Sequence, residues 1–179
     1  EGTPTDQLAV LSADGTQSLT VSLGTANADV GGASLVPPIT NPASAAALWV
    51  ADNYNRKVYQ VNMTTGAQVA NTEINYPGYA SEIGGLAHRI VTAEGVSAVT
   101  LYAYERDNDS FYKIDTSNKI FAQSLFTSDP NYMDMIFTPW GANGATIISF
   151  GGEDKLMVSR FSQIYQINLT TGALEQMYN

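Results

Sequence analysis

The chain has 179 residues, 44% hydrophobic and only 14% charged, with 17 acidic against 8 basic side chains and a net charge of -9. That balance is too apolar for a disordered chain, and its sign repels phosphate backbones, which argues against nucleic acid as a partner. The absence of cysteine removes disulfides, thiolate nucleophiles and Cys-ligated metal sites, and no apolar run approaches the roughly 20 residues of a spanning helix.

Abundant Thr, Ser, Asn, Gly and Tyr with few Lys is the composition expected of an exported protein, secreted or held at the cell surface. Lack of cysteine does not oppose export, because a core this large needs no covalent staple. A first residue of Glu1 rather than Met is expected of a processed or trimmed chain.

In chain order, residues 8–12, an Asp14-Gly15 turn and residues 16–24 predict a hairpin. Leu48-Trp49-Val50-Ala51 then predicts a strand that runs through a polar loop, Asp52-Asn53-Tyr54-Asn55-Arg56, into Val58-Tyr59-Gln60-Val61-Asn62-Met63-Thr64-Thr65-Gly66-Ala67. Fifty-three residues on, Phe111-Tyr112-Lys113-Ile114-Asp115-Thr116 repeats the pattern, and after another 53 comes Ile164-Tyr165-Gln166-Ile167-Asn168-Leu169-Thr170-Thr171-Gly172-Ala173. The tyrosine at 59, 112 and 165 sits each time in a period-two alternation, the mark of a half-buried strand. Asn62, Asp115 and Asn168 then lead into a turn that their side chains can hydrogen-bond, with Gly66 and Gly172 supplying positive φ.

Strands are also predicted upstream at Leu101-Tyr102-Ala103-Tyr104 and Leu156-Met157-Val158-Ser159, and downstream over 67–74, 120–126 and 173–178. Innermost strands are expected at Gly85-Leu86-Ala87 and Asp134-Met135-Ile136-Phe137, with long loops over 89–100 and 138–155. Self-similarity at a fixed period, about four strands per unit and no useful helical periodicity predict an all-β fold of tandem four-stranded antiparallel blades. The units are a half blade or hairpin over 1–32, then blades over 33–78, 79–130 and 131–179.

The stretch LWVADNYNRKVYQVNMTTGAQV, residues 48–69, resembles blades of the NHL and YVTN-type propellers, a likeness of pattern that extends over about 35–179. It implies a propeller of about 3.5–4 blades, fewer than or equal to the smallest closed ring of four. Such an array is expected to be incomplete or open. It would be part of a longer propeller, be finished by a partner chain, or carry a degenerate fourth blade at its N-terminus.

The sequence offers little chemistry. His88 is the only histidine and no nucleophile elbow surrounds any serine, so His88 reads as structural. Glu105, Asp107 and Asp109 in Glu105-Arg106-Asp107-Asn108-Asp109-Ser110 are candidate Ca2+ ligands, since calcium wants six to eight oxygens. EF-hand spacing is absent, and an Asx-rich loop satisfying its own backbone explains the run more simply. Asn62, Asn108 and Asn168 head N-glycosylation sequons. Gly84-Gly85 and Gly151-Gly152 lack the setting of a phosphate loop and read as turn or inner-strand glycines. Trp49, Trp140 and ten tyrosines can either stack carbohydrate or fill the space between blades.

The leading expectation is a non-enzymatic exported repeat protein, a binding or assembly scaffold whose partner is itself or another protein, extending to a self-associating extracellular structural subunit. Alternatives are a metal-dependent hydrolase or lyase of propeller type, with Asp52, Glu105, Asp107 and Glu153 as its carboxylates, and a lectin-like module. No cofactor is expected apart from Ca2+ in the metal-bound alternatives.

Overall fold

A computed structural model of the chain describes residues 7–11, 14–23, 29–39, 46–78, 80, 82–93, 96–106, 110–122, 144–150, 152–160, 162–169 and 173–179. They form an all-β fold: one two-stranded and three four-stranded antiparallel sheets, in tandem along the chain. The expected class of four-stranded, propeller-like blades holds.

The two-stranded sheet pairs β1 (Gln7–Leu11) with β2 (Gln17–Ser22). The first blade has β3 (Val30–Val36), β4 (Ala47–Asp52), β5 (Lys57–Val61) and β6 (Ile74–Asn75) in that spatial order. The second runs β7 (Ile83–Ala93), β8 (Val96–Glu105), β9 (Ser110–Asp115) and β10 (Ile120–Ala122). The third runs β11 (Gly144–Phe150), β12 (Glu153–Arg160), β13 (Gln163–Asn168) and β14 (Leu174–Tyr178).

Two expectations need correction. Residues 89–93 and 96–100 are strand rather than loop: β7 and β8 pair through them, with Ile90 opposite Val99 and Val91 opposite Ala98. Apolar and β-branched residues facing each other across a hairpin extend the ladder rather than break it. The first strand of the third blade is β11, inside the stretch expected to be loop, and it pairs with β12 along its whole length. The expected strand at Asp134-Met135-Ile136-Phe137 lies outside the described residues.

Register aligns the blades more finely than sequence spacing does. Tyr59, Tyr112 and Tyr165 face Val50, Ala103 and Val158 of the preceding strand. One rung toward the loop connecting the second and third strands, Gly32–Ala51–Val58, Gly85–Tyr104–Phe111 and Gly144–Ser159–Ile164 are equivalent triplets across first, second and third strands. The glycines let successive blades touch backbone to backbone. A Cβ on Gly32 would stand 2.9 Å from the Gly85 carbonyl carbon, and one on Gly85 would stand 2.9 Å from the Ala145 amide nitrogen. Side chains other than hydrogen do not fit so close to a neighbouring strand.

Three apolar clusters follow from this stacking. Val36, Trp49, Ala51 and Val58 of the first blade pack on Leu86, Leu101, Ala103 and Tyr112 of the second. Ala87, Tyr102, Tyr104 and Phe111, on the second blade's other face, pack on Leu156, Val158, Tyr165 and Ile167 of the third. Val21 and Leu23, with Leu8 at the edge, cover Leu48, Val50, Tyr59 and Val61 on the first blade's remaining face. Two-sided burial explains why the second strands of the first two blades are continuously apolar.

Candidate interaction face

The third blade differs from the first two on one side. Its face toward the second blade is buried, while the opposite face has no blade against it among the described residues. Equivalent positions make the contrast plain: Val58 is 0 % exposed and Phe111 1 %, but Ile164 is 44 % exposed. Ser34 and Ala87 are buried where Thr146 is exposed, and Trp49 and Tyr102 are buried where Met157 is half-buried. Among the described residues a Cβ on Gly144 would meet only the Ser159 Oγ of its own sheet, at 3.1 Å.

The result is an apolar groove of about 230 Å³ lined by Gly144, Ala145, Thr146, Met157, Ser159 and Ile164. Ile148 lies beside it, also exposed. Toward the outer strands the sheet turns polar. Lys155 Nζ reaches Glu153 at 2.6 Å and Glu175 at 2.7 Å, and Glu175 also accepts from Gln166 and Asn168, each at 2.9 Å. These donors hold the Glu175 carboxyl down at about 2, the Lys155 hydrogen bond contributing most. The two carboxylates raise Lys155. An apolar centre beside a charged, hydrogen-bonded flank is the composition of a protein-binding patch.

The sequence carried a signal for this face. The first two blades have Leu48-Trp49-Val50-Ala51 and Leu101-Tyr102-Ala103-Tyr104, apolar on both sides. The third has Leu156-Met157-Val158-Ser159, where Leu156 and Val158 are buried and Met157 and Ser159 are not.

The residues singled out for chemistry are dispersed. Asp52 is fully buried, and its carboxylate accepts from the Asn55 amide at 2.9 Å, Asn55 Nδ2 at 2.7 Å and the Tyr59 hydroxyl at 3.3 Å. It closes its own hairpin. Glu105, at the equivalent position of the second blade, is also buried and accepts from the Glu82 amide at 3.4 Å. Glu153 is exposed at the opposite end of the second strand in its blade, paired with Lys155. Asp107, Asn108 and Asp109 lie outside the described residues, so of the candidate calcium ligands only Glu105 is placed. Among the described residues no group of three or more His, Asp or Glu could hold a metal ion.

His88 Nδ1 lies 2.9 Å from Ser34 Oγ, which ties the first strands of the first and second blades. Burial lowers the His88 pKa, so the ring is neutral at pH 7. Asn53 makes a similar tie: its Oδ1 accepts from the Ile83 amide at 2.8 Å and the Tyr76 hydroxyl at 3.2 Å. Arg89 pairs with Asp154 at 2.5 Å between the second and third blades.

Asn62 caps its turn, accepting from the amides of Thr64 at 2.9 Å and Thr65 at 3.0 Å, and it is exposed. Asp115 does the same for Ser117 and Asn118. Asn168 Nδ2 donates to Glu175. Gly66 has φ of 70°, as the turn requires; Gly172 lies outside the described residues. Trp49 is 4 % exposed within the first junction, so no sugar can stack on it, and Trp140 lies outside the described residues.

The fold and this face together define a propeller-like blade array with an uncovered junction surface on its third blade, among the described residues. No protein-family profile and no curated protein matches the sequence. Among solved structures the chain is similar to hydrazine synthase from Kuenenia stuttgartiensis, at 16% identity and a TM-score of 0.50, over 83% of this chain and 35% of that one. The chain thus spans about a third of that protein's length, and the likeness is one of fold. No helix among the described residues is long and apolar enough to cross a membrane.

Proposed function

We propose that the chain is a non-enzymatic, exported binding and assembly scaffold that works through the uncovered face of its third blade. The observation that carries this reading is the contrast at one structural position: Val58 and Phe111 are sealed by a neighbouring blade and Ile164 is 44 % exposed. The equivalent faces of the first two blades are each covered by a neighbouring blade, so this face is shaped to receive one. The simplest occupant is the same face of a second copy, because a two-fold, isologous contact covers both patches at once. Export rests on composition, and assignment to NHL or YVTN-type propellers rests on the pattern of residues 48–69.

Sedimentation velocity on the wild type and on the Ile148→Lys, Ile164→Lys double variant tests the reading. Association in the wild type that the variant loses, with its fold intact by circular dichroism, is the expected result. A wild type that sediments as a monomer at all concentrations overturns it.

A further inference from the structure

The two-stranded sheet is the outer half of a blade. Its Asp14-Gly15 turn joins β1 and β2 as the Thr65-Gly66 turn follows β5, and Gly15 and Gly66 share a positive φ, 82° and 70°. Leu8, opposite Val21 in the ladder, packs on Tyr59 and Val61 of the first blade as Val58, opposite Ile74, packs on the second, so Leu8 takes the place of Val58. By that alignment β1 corresponds to β5, β9 and β13, the third strands of the complete blades. Each of those pairs on its inner edge with a second strand, β4, β8 or β12. The inner edge of β1 pairs with no strand among the described residues.

The surface beside that edge is also uncovered among the described residues. Ala33 and Leu35 stand opposite Val50 and Leu48 in the ladder, hence on the face whose second and third strands β1 and β2 cover. Both are exposed, Leu35 by 39 %. Their equivalents in the third blade are Ala145 and Ile147, which pack under Ala87, Tyr102 and Tyr104 of the β7–β8 hairpin. An Ala-x-Leu pair on the first blade thus repeats the Ala-x-Ile pair that an inner hairpin already covers elsewhere in the same molecule.

We infer that the free inner edge of β1, with Ala33 and Leu35 beside it, takes up a two-stranded β-hairpin from a partner polypeptide. The hairpin adds its second strand to β1 by backbone hydrogen bonds and lays small and aromatic side chains over Ala33 and Leu35. A second copy of this chain is a poor donor, since its three inner hairpins are each built into a blade. The inference rests on the reading of the chain as a binding scaffold, but it uses a different surface from the third-blade face.

The test uses the chain's own inner hairpin, a synthetic peptide of residues 83–105, added to the full-length protein. Saturable one-to-one binding by calorimetry and a raised melting temperature are expected, with Leu35→Asp or Ala33→Lys weakening binding at least tenfold. Because a free peptide can fail to form a hairpin, the same segment is also fused ahead of Glu1 through a flexible linker, which raises its effective concentration to about millimolar. Stabilisation in either format that Leu35→Asp removes supports the inference. No stabilisation in both formats overturns it, while the scaffold reading still stands or falls on the sedimentation of the third-blade variant.

Discussion

Substituting alanine at Gly85 and at Gly144 tests the stacking of blades, because the same change meets different surroundings at equivalent positions. At Gly85 the new Cβ would lie 2.9 Å from the Ala145 nitrogen and 3.1 Å from the Gly144 carbonyl carbon, both backbone atoms of the next blade. Backbone cannot rotate away, so the junction must open, at an overpacking cost of about 1–3 kcal/mol. Restricting the unfolded chain returns about 0.4–1 kcal/mol. Central values leave a destabilisation of about 1.3 kcal/mol, within a span of about 0–2.6, or a melting temperature lower by about 3–5 °C for a chain of this size. At Gly144 the only neighbour among the described residues is the Ser159 hydroxyl, which can turn aside, so the entropic gain survives. Gly144→Ala is therefore expected to be neutral or to raise the melting temperature by up to about 4 °C. Urea and thermal denaturation of the two variants beside the wild type give the comparison. Gly85→Ala as stable as wild type, or Gly144→Ala as damaged as Gly85→Ala, would refute the argument.

Three further outcomes follow from the same contacts. Asp52→Ala takes an acceptor from the Asn55 amide, Asn55 Nδ2 and the buried Tyr59 hydroxyl, and is expected to cost about 2 kcal/mol or more by urea titration. Trp49 Nε1 is buried with no hydrogen-bond partner among the described residues, so Trp49→Phe is expected to stay within about 1 kcal/mol of wild type while Trp49→Ala costs about 3–5 kcal/mol. Glu175 is depressed in the fold from 4.5 to about 2, so its contribution is complete above pH 4.5 and is lost as pH falls toward 2. Lys155 is raised from 10.5, so its share persists up to that pH and is lost only as pH rises beyond it. Melting curves from pH 2 to 7 should show that acid-side loss in the wild type and a smaller one in Glu175→Gln.

Tyr59, Tyr112 and Tyr165 made the blades readable from sequence, because a side chain that fills the same place in each sheet is held to the same spacing. The first strands were harder. Gly32 and Gly85 are 53 residues apart, but Gly85 and Gly144 are 59 apart, so β11 departs from the period that the tyrosines keep, and the apolar residues 134–137 read as the inner strand instead. The hairpin between the second and third strands is also two residues shorter in the third blade, which hides the equivalence of Ala51, Tyr104 and Ser159. Only register shows it. Asp52 and Glu105 drew attention as carboxylates on loops, yet sequence cannot tell a buried hairpin closure from an open ligand. The uncovered face was written in the alternation of Leu156-Met157-Val158-Ser159, but one polar residue in four is a weak mark until the neighbouring blades supply the contrast.

Whether the third-blade face is an interface is best settled by the absolute mass of the unmodified chain in solution, measured by light scattering across a dilution series. The scaffold reading predicts a species of at least twice 19.2 kDa at the upper end, falling toward 19.2 kDa on dilution. A constant 19.2 kDa at every concentration, with Ile148 and Ile164 open to solvent throughout, would contradict it.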